Sequence, residues 1–148
     1  MIQKSYEGND GILYLIPTPI GNLDDITVRA LKILKQSDFI LCEDTRVTGL
    51  LLKKYEISKK LVRCDEYSQE KVKNVVLNAL ADKKTVGLVS DAGSPIISDP
   101  GYIVSKYVIE NGYKVVALPG ATAFVPALSV SGAVSYTHLR AHETVLDL

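Results

Sequence analysis

The sequence predicts an α/β protein: an open, parallel-type sheet of about five strands with flanking helices. Three observations carry that reading. Short apolar runs alternate with longer amphipathic segments along the chain. The runs are apolar throughout rather than alternately polar, so their strands are expected to be covered on both faces. Pro, Gly and acidic residues gather just after the runs. Alternation of this kind gives parallel strands joined by right-handed crossovers.

Residues 11–16 (GILYLI) form the first expected strand, closed by Pro17. Asp24 or Asp25 is placed to cap a helix running to about Gln36, with Ile26, Ala30, Leu31, Ile33 and Leu34 at helical spacing. Residues 39–42 (FILC) are the second strand, followed by the polar EDTR of 43–46 and a short helix over 50–55. Residues 61–63 are a short third strand. Residues 69–82 read as an amphipathic helix with Val72, Val75, Val76, Ala79 and Leu80 on one face. Residues 85–89 are the fourth strand, and a long loop, SDAGSPIISDPG, spans 90–101. Residues 102–111 form a helix ended by Gly112 at its C-cap. Residues 114–118 are the fifth strand, closed by Pro119 and Gly120, and a helix of small residues begins near Thr122.

A chain of 148 residues makes one compact domain. With 47% apolar and 23% charged residues it has a soluble globular balance. Lys plus Arg equals Asp plus Glu, 17 against 17, so any basic surface for a nucleic acid must be local or supplied elsewhere. Cys42 and Cys64 are expected as reduced structural thiols rather than a disulfide framework. No apolar run approaches the roughly 20 residues needed to cross a membrane. Residues 1–10, a polar N-terminal extension, lack the apolar core of a signal peptide. A cytoplasmic protein with no membrane partner is expected.

Four loops carry most of the Pro, Gly and acidic residues outside the helices: 17–23, 43–46, 90–101 and 119–122. Each follows the C-terminal end of an expected strand, the edge at which open α/β sheets bind ligands. The 90–101 loop is about twice the ordinary two to six residues, which points to a task beyond connection. Neither a phosphate-binding P-loop nor a dinucleotide fingerprint occurs. No zinc spacing occurs, so no metal is expected. Ser90 and Ser94 have no nucleophile-elbow setting. Both histidines, His138 and His142, come after residue 133. Proton transfer by the domain therefore falls to Asp, Glu, Lys, Tyr or water, or is not required. The residues alone thus predict a small-molecule site made of backbone-rich turns at one sheet edge.

At these loops the chain resembles a known family. LYLIPTPIGNLDDITVRAL (13–31), EDTR (43–46), VSDAGSPIISDPGY (89–102) and VVALPGATA (115–123) are similar to the ribosomal RNA small subunit methyltransferase I family, of the tetrapyrrole-methylase-like superfamily. The resemblance covers about residues 11–133. It implies a two-domain methyltransferase that holds S-adenosylmethionine between its domains, the second of which is missing here. It implies methylation of a cytidine ribose 2′-oxygen in the decoding region of 16S ribosomal RNA, within the small ribosomal subunit. It also implies a homodimer for the full-length enzyme. By the same resemblance Pro19 and Gly21 lie on one side of the cofactor. Ser90, Asp91, Ala92, Gly93, Ser94, Pro95 and Ile96 lie on another, and Pro119 with Gly120 lie under the adenine or ribose. Gly93 and Gly120 are expected to allow close backbone approach.

Several of these residues also have plainer readings. Pro19, Gly21 and Pro95 suit tight turns, as do Pro100 and Gly101, for which the turn is the preferred role. Asp24 and Asp25 are read as helix caps. Lys53, Lys54, Lys59 and Lys60 are read as solvated surface, with phosphate contact as the alternative. Glu43, Asp44 and Arg46 are the catalytic candidates, with Asp44 as base or orienter and Arg46 as its partner or a phosphate contact. Methyl transfer to a hydroxyl is an in-line displacement, so positioning can supply most of the rate gain. The chain departs from the family at RCDEYSQE (63–70), where family members often carry histidine and asparagine, and at Ala121, where proline is frequent.

After Ala133 the resemblance stops. Residues 134–144, VSYTHLRAHET, resemble the translation of a transposon-based sequencing adapter, so 134–148 is read as a non-native tail. His138 and His142 on that tail are not taken as a metal site. The organisation expected is thus a polar extension (1–10), a cofactor-binding domain (11–133) and the tail, with no activity on RNA for the chain alone. Two rival readings are a methyltransferase for a tetrapyrrole or other small acceptor, and a non-catalytic nucleoside-binding module.

Overall fold

The computed structural model describes residues 10–97 and 100–133. The extension before Asp10, positions 98 and 99 of the long loop, and the 134–148 tail with His138 and His142 lie outside the described residues. The expected elements form in the expected order. They are β1 (Ile12–Leu15), α1 (Val28–Gln36), β2 (Phe39–Cys42), α2 (Thr45–Lys54), β3 (Lys60–Arg63), α3 (Gln69–Ala81), β4 (Thr85–Leu88), α4 (Tyr102–Glu110), β5 (Lys114–Ala117) and α5 (Phe124–Ser131).

The five strands make one sheet in the order β3-β2-β4-β1-β5. All its pairings are parallel, with Leu13 beside both Val86 and Val115, and Ile40 beside both Leu61 and Gly87. The central strands are buried on both faces and the edge strands β3 and β5 are not, which explains why β3 was the shortest apolar run. Links toward the β3 edge carry α1 and α2; links toward the β5 edge carry α3 and α4. One crossover hand therefore puts each pair of helices on its own face. The core divides accordingly. Ile12, Tyr14, Ile16 and Ile40 pack with Leu34 and Leu52 on one side. Leu13, Leu41, Val86 and Leu88 pack with Val76, Val104 and Val108 on the other. Each fully buried side chain of this kind contributes about 1.5–3 kcal/mol relative to leaving it exposed.

Local capping moves several boundaries. Neither Asp24 nor Asp25 caps α1: Thr27 does, accepting from the Ala30 N–H at 3.0 Å. The two aspartates sit in a 3-10 turn (Leu23–Asp25) capped by Asn22, and Asp24 pairs with Lys54 at 2.6 Å. The second helix begins at Thr45, earlier than its apolar pattern, because Asp44 accepts from the Arg46 N–H at 2.8 Å and starts it. Val75 points away from the core at 51% exposure, and Gln69 is buried in its stead. The Gln69 Oε1 lies 3.3 and 3.4 Å from the N–H groups of Gly101 and Ile103, so α3 caps the start of α4. Gly112, at φ +78, ends α4 as read. Asp10, the last residue of the expected extension, is tied to the sheet by a 2.8 Å ion pair with Lys114. Both cysteines are free and buried. Among the described residues no helix is long and apolar enough to cross a membrane.

Candidate functional site

The chain leaves β2 toward one sheet edge and β4 toward the other. Their C-terminal ends therefore bound the crevice where open α/β sheets take ligands. The ladder runs one residue past the strands there: Ile16 N–H bonds Leu88 O at 2.9 Å, Val89 N–H bonds Leu41 O at 2.9 Å, and Cys64 N–H bonds Cys42 O at 2.8 Å. Every strand-end loop thus starts from a fixed position.

Two of the four sequence-predicted loops interlock through backbone hydrogen bonds, and a third packs against them. Thr18 and Gly93 exchange two hydrogen bonds of 2.9 Å, and the Thr18 hydroxyl donates to Ser90 O at 3.1 Å. The Ser90 hydroxyl, 3% exposed, lies 3.2 Å from the carbonyl oxygens of both Ala92 and Gly93. Its side chain therefore holds the turn. Gly93 has φ +81, which suits glycine. Gly120 lies against Pro17 so closely that a Cβ there would stand 2.6 Å from the proline Cβ. The predicted cofactor residues accordingly sort into two sets. Pro19, Ser90, Gly93 and Pro95 are buried and shape the loops, with Ser94 and Ile96 half-buried; Gly21, Asp91, Ala92, Pro119 and Gly120 are exposed.

The fourth loop joins through Asp91, whose Oδ1 accepts from the Asp44 N–H at 3.2 Å. Beside this junction opens a cleft of about 610 Å³, lined by Glu43, Asp44, Thr45, Arg46, Arg63, Asp65, Glu66, Tyr67, Asp91 and Pro100. A smaller cavity of about 50 Å³, lined in part by Thr18, Pro19, Ser90 and Asp91, adjoins it. The cleft gathers Glu43, Asp44 and Arg46, the three catalytic candidates. Arg63, Asp65, Glu66 and Tyr67 stand out in the sequence only as a departure from the family. Applying the strand-end rule to β3 finds them, but their segment carries no Pro or Gly to draw notice.

Asp44 is heavily committed. Its Oδ1 accepts from the Arg46 N–H and lies 3.1 Å from Arg46 Nε, and its Oδ2 lies 2.8 Å from Arg46 Nη2. The guanidinium and backbone N–H of Arg46 hold this carboxyl down at about 2. A carboxylate so weakly basic is a poor proton acceptor at neutral pH and a good anchor for a guanidinium. Asp65 repeats the device. Its carboxyl is lowered first by the Ser68 hydrogen bond, and it pairs with Arg63 Nε at 2.7 Å. By contrast, burial pushes the Cys64 thiol up to about 11 and raises that of Cys42. Both are inert structural thiols. Among the described residues no group of His, Cys, Asp and Glu could hold a metal ion.

Comparison with known proteins agrees with this architecture. The family described as Tetrapyrrole (Corrin/Porphyrin) Methylases matches residues 12–146. Ribosomal RNA small subunit methyltransferase I of Halalkalibacterium halodurans is 47% identical over 132 residues, covering 88% of this chain and 46% of that protein. The protein of the same name from Neisseria meningitidis serogroup B is 48% identical over 122 residues, 82% of this chain and 42% of its own length. The chain thus spans a little under half of these relatives. Among solved structures, the uroporphyrin-III C-methyl transferase of Thermus thermophilus, complexed with S-adenyl homocysteine, shares the fold at a TM-score of 0.60. It has 22% sequence identity, over 79% of this chain and 51% of that one.

Proposed function

Because the chain belongs to the tetrapyrrole (corrin/porphyrin) methylase family, we propose that it is the S-adenosylmethionine-binding half of a methyltransferase for 16S ribosomal RNA. In this reading the complete enzyme, a cytoplasmic homodimer, methylates the ribose 2′-oxygen of a cytidine in the decoding region of the small subunit. One observation carries the reading: the loops after β1, β2 and β4 are joined by hydrogen bonds at the crevice between β2 and β4, beside a cleft of about 610 Å³. The names of the relatives supply the acceptor class.

The residues present fit the cofactor. The exposed set, Gly21, Asp91, Ala92, Pro119 and Gly120, offers backbone groups on a base made rigid by the buried set. Asp91 lines the smaller cavity beside these loops and sets one carboxylate toward a ligand of net positive charge. When bound, S-adenosylmethionine supplies a methyl carbon activated by its sulfonium. Asp91 lines both cavities, so it stands between the cofactor loops and the acceptor cleft. Asp44 acts as a positioning residue that fixes Arg46 and the first turn of α2. Glu43 lines the same cleft and receives the hydroxyl proton or passes it to water.

The chain alone is proposed to bind cofactor weakly and to leave RNA unmodified. No residue of α5 is buried; Phe124, Val125 and Val130 are 68%, 55% and 86% exposed. That apolar surface is where the remaining length of the relatives is proposed to sit, completing the site. The non-native origin of 134–148 stays a proposal, although the family match crosses residue 133. It is checked by re-sequencing the source DNA across codons 125–148 without transposon-derived adapters.

Calorimetric titration with S-adenosylmethionine and tritium transfer to small ribosomal subunits test the function. Both are run on the 148-residue chain and on this chain joined to the C-terminal portion of the Halalkalibacterium relative. The joined protein is expected to methylate a cytidine ribose in 16S RNA, and the chain alone is not. Transfer by the joined protein to a corrin precursor but not to ribosomal subunits would overturn the acceptor. Cofactor binding with no transfer to either would leave a binding module.

A further inference from the structure

One wall of the cleft comes from the segment after β3. Arg63 ends that strand with its side chain 70% exposed, and its Nε lies 2.7 Å from Asp65 Oδ2. The other carboxylate oxygen of Asp65 accepts from the N–H groups of Ser68, at 2.9 Å, and Tyr67, at 3.2 Å. A single carboxylate therefore orients Arg63 and fixes the turn that carries Tyr67. Tyr67 is 90% exposed. Across the same cleft Arg46, 88% exposed, is anchored to Asp44 through Nε and Nη2. Each guanidinium has five N–H donors. Anchoring uses two on the Arg46 side chain and one on Arg63, so each keeps a pre-oriented fork for a second anion.

We infer that Arg46, Arg63 and Tyr67 form the rim that receives the acceptor: the two guanidiniums each take a phosphate of single-stranded RNA, and Tyr67 stacks on a base. The inference rests on the RNA methyltransferase reading and names the groups that seat its substrate. The chemistry favours a single strand for two reasons. A base must be unstacked before a tyrosine ring can cover it. The five carboxylates of the cleft also repel a continuous run of phosphates, so contact is confined to the two arginine heads. Two neutralised phosphates on a single strand give a shallow salt dependence, with a log–log slope of about −1.4. A basic groove tracking many phosphates gives a much steeper one.

The test is fluorescence anisotropy of the 148-residue chain with a labelled single-stranded RNA of decoding-region sequence, over about 50–200 mM salt. Arg63→Ala is expected to weaken binding about tenfold and flatten the slope by about 0.7; Arg63→Lys recovers the slope but only part of the affinity. Tyr67→Ala weakens binding about tenfold without changing the slope, and Tyr67→Phe keeps it. S-adenosylmethionine affinity is unchanged in all four variants, and their circular dichroism matches the parent. No RNA binding by the parent chain overturns the inference. So does unchanged binding in Arg63→Ala and Tyr67→Ala, or equal affinity for duplex RNA. If the joined protein methylates ribosomal subunits while these variants behave as parent, the rim fails and the enzyme reading stands. If the variants lose RNA binding but no joined protein transfers methyl, the rim stands and the enzyme reading fails.

Discussion

Loops 17–23 and 90–97 hold each other mainly through their main chains, with 119–122 packed on Pro17, whereas 43–46 and 63–67 are held by side chains. The first group is uncharged apart from Asp91, and its inner members are buried. The second is charged and largely exposed, and its order comes from Asp44 with Arg46 and Asp65 with Arg63. Both lie at one end of one sheet. A cradle made of backbone tolerates almost no added volume but is indifferent to pH. A rim made of ion pairs tolerates volume changes and depends on each partner's chemistry.

The largest expected effect is on the cradle. Gly120→Val places its Cβ against Pro17, so the two loops must separate. A loss of about 1–3 kcal/mol is expected from overpacking, measured by urea unfolding, with loss of S-adenosylmethionine binding. Unchanged stability would show that the contact between the loops is slack.

The rim is expected to respond in function more than in stability. In the joined enzyme, Asp44→Ala should cut turnover far more than cofactor affinity. Asp44→Asn separates the residue's two tasks, because asparagine caps a helix as well as aspartate does but cannot anchor Arg46 as an ion pair. Its melting temperature should stay near the parent's while turnover falls with the alanine variant's. If Asp44→Asn keeps full turnover, capping is its whole role.

The smallest effect concerns pH. The folded Asp44 carboxyl, at about 2, lies below its ordinary 3.8, so its contribution is complete above the ordinary value and is lost as pH falls through about 2. Between about pH 5 and 8 its charge should therefore not change. A carboxyl-carbon NMR titration showing a midpoint near 4 would mean that the Arg46 anchor is not formed in solution.

The same contrast explains what the sequence disclosed. The apolar runs located all five strands, and FILC matched β2 residue for residue. Helix starts were less legible, because a cap depends on which of several neighbouring polar side chains turns inward. Asn22, Asp24, Asp25 and Thr27 all qualify chemically, and only Thr27 caps α1. EDTR read as loop because its helix-starting hydrogen bond comes from Asp44, not from apolar spacing. At the cradle, Gly and Pro mark their positions in sequence because the backbone needs them. At Arg63 and Tyr67 no backbone requirement exists; strand order alone brings them to the cleft.

The hydrogen bonds from Gln69 bear on how the two regions communicate. Gln69 opens α3 directly after the turn that holds Tyr67, and its side chain receives the first N–H groups at the end of the long loop that began at Ser90. One side chain thus fastens the turn that carries Tyr67 to the end of the long loop. On the proposed reading, this contact is the route by which a displacement at one site would reach the other. Thermodynamic linkage makes any such coupling reciprocal: the factor by which cofactor tightens the hold on RNA equals the factor by which RNA tightens the hold on cofactor.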